Sequence, residues 1–156
     1  MKKLIYLMPL LFVLSSFKQN FDPFHLPTTW EKDFSIKLYN GGGMYYGSTT
    51  VVFNSSGVIY TKMDQGNEVV KTFELSEDEK NAILKQLKLL KVDSIKSKTK
   101  DGITHDQATT SICFLKEVNT TYCASKGATT EIEEEYKNNF SETWDYLCGI
   151  VKSKTK

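Results

Sequence analysis

Hydrophobic and polar residues alternate along the first half of the chain in the manner of β-strands. At 34–39, apolar side chains stand at every second position, and Gly41-Gly42-Gly43 ends the run. Three later runs are rich in β-branched and aromatic residues, at 48–53, 58–63 and 69–75. Short polar segments with a late glycine separate these runs, which is typical of hairpin loops. The pattern predicts an antiparallel meander.

Helical spacing replaces strand spacing from Ser76 onward. Ser76 can cap a helix N-terminus while Glu79, three residues later, reaches back to it. Glu77 and Asp78 favour the positive end of the helix dipole. The apolar residues that follow recur at helical spacing, and they are Ile83, Leu84, Leu87 and Leu90. We therefore predict a helix that packs one face on the sheet.

A second hairpin and a second helix are predicted in the last third of the chain. Residues 109–115 and 120–125 have strand character and turn at 117–119. The second helix is predicted to begin near Thr130, with Glu133 three residues on, and to end near Val151. Its apolar stripe steps by three or four residues and consists of Ile132, Tyr136, Phe140, Trp144, Leu147 and Val151. Such a face is more typical of a core than of a ligand site.

These elements predict an α+β fold with an antiparallel sheet of about five or six strands and two helices packed on one of its faces. Their order is strands, helix, hairpin, helix. Residues 17–33 hold two of the three prolines and are interpreted as an extended lead-in. We expect a single domain at 34–152 and a frayed basic tail at 153–156.

The first residues indicate export. Lys2 and Lys3 precede an uncharged apolar stretch at 4–14, which suits the apolar core of a signal peptide and is too short to span a bilayer. Residues 1–16 are therefore predicted to be a signal peptide that is cleaved after Ser15 or Ser16. The mature protein is expected in the periplasm or outside the cell, with no transmembrane span.

Composition argues against a nucleic-acid partner. The formal charge is +1, and removal of Lys2 and Lys3 makes it −1, so no global field steers the protein toward nucleic acid or an anionic membrane. All 20 cationic side chains are lysine, and arginine is absent. The bidentate guanidinium contacts that read guanine and clamp phosphate are therefore missing.

Each candidate motif for catalysis, a cofactor or a metal lacks a required residue or spacing. Residues 42–49 have the glycine spacing of a phosphate loop, but Ser48 stands where the lysine is required. His25 and His105 are eighty residues apart and form no recognised metal spacing. The three cysteines have no histidine partner that the sequence reveals. We expect no cofactor, no metal and no catalysis.

One candidate binding element remains, the glycine-rich segment 41–47. It presents Met44, Tyr45 and Tyr46, and exposed tyrosine is a rigid amphipathic contact residue. The alternative is a flexible or bulged crossing between two strands, where glycine lets the backbone turn. The sequence leaves both interpretations open.

The cysteines indicate a cross-strand disulfide. A three-residue loop at 117–119 places Cys113 opposite Cys123, with Ile112 facing Ala124 on the other face of the hairpin. In an oxidising compartment this pair can form a bridge. A bridge from Cys123 to Cys148 is the main competitor, and otherwise Cys148 is the unpaired thiol.

Residues 34–92 resemble small secreted and lipid-anchored bacterial proteins that have no assigned function. In these proteins a Gly/aromatic-rich meander runs into a segment like Thr72-Phe73-Glu74-Leu75-Ser76-Glu77-Asp78-Glu79. The resemblance implies nothing about activity. Because a sheet with a glycine- and tyrosine-rich loop is predicted and no catalytic set is visible, we expect a noncatalytic exported binding or interaction module whose partner is a protein or glycan at the cell envelope. The alternatives are a structural or envelope-maintenance protein and an enzyme whose site is assembled only in three dimensions.

Overall fold

The computed structural model describes residues 24–102, 106–116 and 119–155. The predicted signal peptide lies outside them. In chain order the strands are β1 Phe34–Gly42, β2 Tyr45–Asn54, β3 Gly57–Asp64, β4 Asn67–Phe73, β5 Ser97–Thr99, β6 Thr109–Lys116, β7 Asn119–Lys126 and β8 Thr130–Ile132. The helices are α1 Glu77–Leu89 and α2 Lys137–Lys154, and single 3-10 turns lie at Val92–Ser94 and Glu134–Tyr136.

Within these residues, six strands form one antiparallel sheet in the order β4-β3-β2-β1-β6-β7. The meander β1 to β4 supplies four neighbouring strands, and the β6-β7 hairpin adds to the free side of β1. The short strands β5 and β8 pair with each other as a second, small sheet. The predicted α+β class and strand count are confirmed.

Both helices cover one face of the large sheet, as predicted. On that face Ile36 of β1 stands between Phe53 of β2 and Phe114 of β6, and all three are almost completely buried. Apolar side chains of the two helices pack on this face and complete the core. They are Ile83, Leu84, Leu87, Phe140, Leu147 and Val151. The opposite face of the sheet carries no helix from the described part of the chain.

The capping chemistry of α1 is present as predicted. The side chain of Ser76 accepts a hydrogen bond from the backbone N–H of Glu79 at 3.2 Å, and the Glu79 carboxylate accepts one from the backbone N–H of Ser76 at 2.8 Å. Lys80, one residue later, is buried and donates to the carbonyl of Ser55 at 2.5 Å and to Glu77 at 2.8 Å. The first turn of α1 is therefore anchored to the β2-β3 turn.

The two helices run antiparallel and are joined at both ends. The side-chain amide of Asn139, near the start of α2, donates to the carbonyl of Leu90 after α1 at 2.8 Å. At the other end Lys154 contacts the Glu79 carboxylate at 2.6 Å. The Lys154 ammonium accordingly lowers the pKa of Glu79. Helix α2 extends through Ser153 and Lys154, which belong to the predicted tail.

The predicted start of the second helix is wrong by seven residues. Thr130 opens β8 rather than a helix, and α2 begins at Lys137. Residues Thr130–Ile132 pair with Ser97–Thr99, a strand that the sequence pattern did not reveal. This pairing buries Ile132, and the N–H of Glu133 donates to the carbonyl of Lys96 at 3.0 Å. Tertiary pairing thus overrides the local helix signal.

The register of the β6-β7 hairpin is confirmed, although its turn differs from the prediction. Lys116 pairs with Asn119, so the loop has two residues, 117 and 118, which lie outside the described residues. The register then shifts between Phe114 and Leu115, because Thr121 is an extra residue on β7. The shorter loop and this bulge together leave Cys113 opposite Cys123.

The described part of the lead-in contributes to the core. Leu26 is buried, and the ring of Phe24 stacks on Phe114 with centroids 5.1 Å apart. The indole N–H of Trp30 donates to the carbonyl of Phe34 at 3.2 Å. Residues 24–30 therefore close the end of the core that lies beside β6 and β7.

Candidate functional site

The glycine-rich segment contains a much tighter turn than the sequence predicted. Gly41 and Gly42 belong to β1, and Tyr45 already opens β2, so only Gly43 and Met44 connect the strands. Gly43 has a φ of 73°, and a Cβ atom on it would lie 2.7 Å from the carbonyl oxygen of Asp106. A side chain is therefore excluded there by conformation and by space.

Met44 projects from this turn and is 72% exposed. Tyr45 and Tyr46 lie in the strand β2 rather than in a loop. The predicted binding role of Met44, Tyr45 and Tyr46 stays a prediction.

A cavity of about 520 Å³ lies beside this turn, and we call it the turn-side cavity. Met44 and the strand residues Asn40 and Thr49 line one part of it. Lys62 and Asp64 line another part and form an ion pair at 3.4 Å. The candidate loop thus borders a concave surface rather than standing alone.

A second cavity, of about 530 Å³, lies between the sheet and α2, and we call it the helix-side cavity. Its floor is the helix-bearing face of three central strands. The floor residues are Leu38, Asn40, Thr49, Val51 and Tyr60. Lys71 of the edge strand β4 closes one side.

Helix α2 forms the opposite wall through residues spaced three or four apart. They are Trp144, Cys148, Val151 and Thr155, the last being the residue after the helix. This row lies beside the fully buried row that includes Phe140 and Leu147. One stripe of α2 therefore packs into the core while the adjacent stripe faces the cavity, and the buried Val151 borders both.

The two cavities share Asn40 and Thr49. They are therefore adjacent, and the two cavities together, from the α2 wall to the turn at Met44, are called the groove below. Both ends carry charged side chains, and the aromatic residues Tyr60 and Trp144 line the helix-side end. Such a lining suits a ligand with an apolar body and a polar group.

Three charged side chains line the helix-side cavity. Lys71 comes from β4, and Asp145 and Lys152 come from α2. None of the three forms an ion pair with another residue in the described ranges. The cavity therefore carries one more positive than negative charge.

Cys148 is a half-buried thiol in the wall of the groove. Burial raises the pKa of Cys148, the nearby Lys152 lowers it and Asp145 raises it, so that the net shift is upward. A raised pKa keeps the sulfur protonated and weakly nucleophilic at neutral pH. The site does not activate this cysteine.

The predicted cysteine pair lies on the opposite face of the sheet, away from the groove. The sulfur atoms of Cys113 and Cys123 are 2.03 Å apart, as in a disulfide bond. Cys148 is the unpaired thiol, so the competing Cys123 to Cys148 bridge is not formed. His25 is exposed and lies 4.0 Å from Asp93, and His105 is outside the described residues.

No group of three or more histidine, cysteine or acidic side chains that could hold a metal ion occurs among the described residues. Within the same ranges, neither helix has the length and apolarity needed to cross a membrane. Comparisons with protein-family models, with curated proteins and with solved structures find no match to this chain. The groove is therefore the feature of the described residues from which a function can be proposed.

Sequence reasoning did not find most of the groove. It assigned Trp144 to the core stripe of the second helix, and it gave no role to Tyr60 or Lys71. The strand alternation does place Tyr60 on the same face as Val58, which was a usable signal. The spacing of residues along α2 does not reveal that this face remains open there.

Proposed function

We propose that this protein is an exported, noncatalytic binding module that holds a small ligand with an apolar body in the groove. The observation that carries the proposal is the helix-side cavity of about 530 Å³. This volume lies in the range typical of small-molecule sites. The wall residue Trp144 and the floor residue Tyr60 supply flat aromatic surface for such a ligand.

The polarity of the floor supports the same proposal. Leu38 and Val51 lie deep in it, while Asn40 and Thr49 offer hydrogen-bonding groups where the two cavities meet. A few polar groups in a mainly apolar pocket orient a ligand and select among ligands. Binding at this site requires no reactive group, and Cys148 is held in its protonated form by burial.

Export is supported by the predicted signal peptide and by the Cys113–Cys123 pair. Disulfides persist in oxidising compartments and are rare in reducing ones. A protein or glycan partner at the cell envelope stays a prediction, and the small ligand proposed for the groove is additional to that partner.

We expect the mature chain to begin between residues 16 and 21. Intact-mass measurement of the protein recovered from outside the cytoplasm tests this, and a cytoplasmic protein that retains Met1 would contradict export.

Binding can be measured with the uncharged fluorescent probe N-phenylnaphthylamine. Trp30→Phe leaves Trp144 as the only tryptophan, so energy transfer from its indole to the probe reports binding at the groove. We expect saturable transfer. Thr49→Phe places a ring on the floor, and we expect it to raise the Kd of the probe by about tenfold or more, equivalent to about 1.4 kcal/mol.

Thr50→Phe is the matched control. Thr50 is the next residue of β2, and its side chain points to the opposite face of the sheet, where it pairs with Tyr39 and Thr61. This variant should bind the probe as the parent protein does. Absence of saturable transfer, or equal effects of Thr49→Phe and Thr50→Phe in folded proteins, would refute the proposal.

A further inference from the structure

Two lysines from different elements line the helix-side cavity. Lys71 lies on β4, the edge strand, and Lys152 lies in the last turn of α2. Both lysines are exposed, whereas Trp144 is half-buried and Val151 is buried in the same lining. Positive charge therefore lies at the solvent-exposed part of the cavity lining.

The neighbouring lysines are already paired with acidic groups. Lys62 on β3 pairs with Asp64, and Lys154 on α2 pairs with Glu79 at 2.6 Å. Lys71 and Lys152 make no such pair with any residue in the described ranges. Of these four lysines, the two without an acidic partner among the described residues are therefore the two that line the helix-side cavity.

Lys152 alone would not indicate a ligand, because a cation in the last turn of a helix also complements the helix dipole. Lys71 has no such role, since it lies on a strand and reaches the cavity from the other side. An anion placed between two ammonium groups interacts with both and reduces their mutual repulsion.

We propose that the ligand of the groove is a small, freely dissolved amphipathic anion. Its apolar, partly aromatic body lies along Trp144 and Tyr60, and its singly charged carboxylate or sulfonate is attracted by Lys71 and Lys152. Asp145 borders the same cavity and opposes the anion, so it limits affinity and disfavours a second negative charge. This inference rests on the proposed function, because it assigns the chemical class of ligand to the same groove.

The test compares two probes that differ in one charged group. Anilinonaphthalene sulfonate carries a sulfonate on an aromatic body, and N-phenylnaphthylamine is its uncharged counterpart. Lys71→Gln and Lys152→Gln should each raise the Kd of the sulfonate by about three- to tenfold, since each removes one close attraction. The Kd of the neutral probe should change by less than about twofold.

Removal of the nearby negative charge should have the opposite effect on the Kd of the sulfonate. Asp145→Asn removes the repulsive charge and should lower the Kd of the sulfonate by about two- to threefold without changing binding of the neutral probe. Added salt should weaken sulfonate binding only. Lys88→Gln, on the exposed surface of α1 away from the groove, is the matched control and should affect neither probe.

The outcomes separate the two proposals. If the neutral probe binds in the groove and the lysine variants leave sulfonate binding unchanged, the anionic ligand is refuted and the binding module stands. If neither probe binds, both are refuted. If the sulfonate fails to bind but vesicles of phosphatidylglycerol retain the protein and Lys71→Gln releases it, the lysines recognise a membrane surface, and the dissolved ligand is refuted.

Discussion

The phenol oxygen of Tyr122 is buried without a hydrogen-bond partner among the described residues. Its ring lies on the helix-bearing face of β7, with the ring centroid of Phe24 at 5.4 Å and that of Phe114 at 6.1 Å. Burial raises the pKa of Tyr122 to about 12, with smaller contributions from Asp93 and Tyr136. The hydroxyl is therefore in an environment that suits a phenylalanine better than a tyrosine.

Tyr122→Phe should stabilise the protein. The substitution keeps the ring contacts and removes one buried polar atom, whose unsatisfied burial costs about 1 to 3 kcal/mol. We expect the free energy of unfolding at pH 7 to rise by about 1 to 2 kcal/mol, because part of that cost is relieved by relaxation in the parent protein. The corresponding rise in Tm is about 3 to 8 °C for a domain of this size.

The pH dependence gives a second, independent readout. In the unfolded chain the phenol loses its proton near pH 10, whereas in the folded protein it keeps the proton to about pH 12. The contribution of this group to stability is therefore constant below about pH 10 and is lost as the pH rises toward about 12. The Tyr122→Phe variant does not show this loss. The difference in the free energy of unfolding between the variant and the parent protein should therefore grow between about pH 10 and about pH 12.

Urea unfolding followed by circular dichroism measures both effects. All proteins should carry Cys148→Ala, so that no free thiolate attacks the disulfide at alkaline pH. Tyr39→Phe, on the other face of the sheet, is the matched control and should change stability by less than about 0.5 kcal/mol. A loss of 1 kcal/mol or more in Tyr122→Phe would show that the hydroxyl makes a hydrogen bond, and the reasoning would be wrong.

Two further predictions concern the cysteines. Replacing Cys113 and Cys123 together by serine should lower the free energy of unfolding by about 2 to 3 kcal/mol. The far-UV circular dichroism spectrum should stay unchanged, because the strand pairing survives without the bridge. Loss of the fold would contradict this prediction. Cys148 should react slowly with a thiol reagent in the native protein and rapidly in urea, because it is half-buried and burial raises its pKa. Fast native reaction, or a Cys123 to Cys148 linked peptide from unreduced protein, would overturn the assignment.

Local chemistry was sufficient to predict the elements whose signals lie within a few residues. The capping box needs only Ser76 and Glu79, which are three positions apart, and it is present with bond lengths of 3.2 and 2.8 Å. The meander needs alternation and turn glycines, such as Gly57 and Gly66, and both have the positive φ of tight turns. In each case the interacting groups are close in sequence, so their spacing determines their geometry.

The start of α2 shows where local signals fail. Thr130, Glu133 and the acidic residues after them have the pattern of a helix N-terminus, yet Thr130–Ile132 is a strand. Its partner Ser97–Thr99 lies more than thirty residues earlier in a polar segment without strand alternation. Pairing between distant segments cannot be read from the pattern of either one alone.

By itself the sequence determined the strand alternation, the helix that begins after Ser76 and the placement of Cys113 on the strand face opposite to Ile112 and Phe114. Side chains alternate between the two faces of a strand, so the residues that point to each face are fixed once one face must be apolar. Only the tertiary structure decided that Trp144 and Cys148 line a groove, and that Lys71 and Lys152 line the same cavity. Lys71 and Lys152 come from elements about eighty positions apart, and α2 is held on the sheet by the packing of Phe140, Leu147 and Val151 in the core. Residue spacing along one helix does not encode how that helix lies on a sheet.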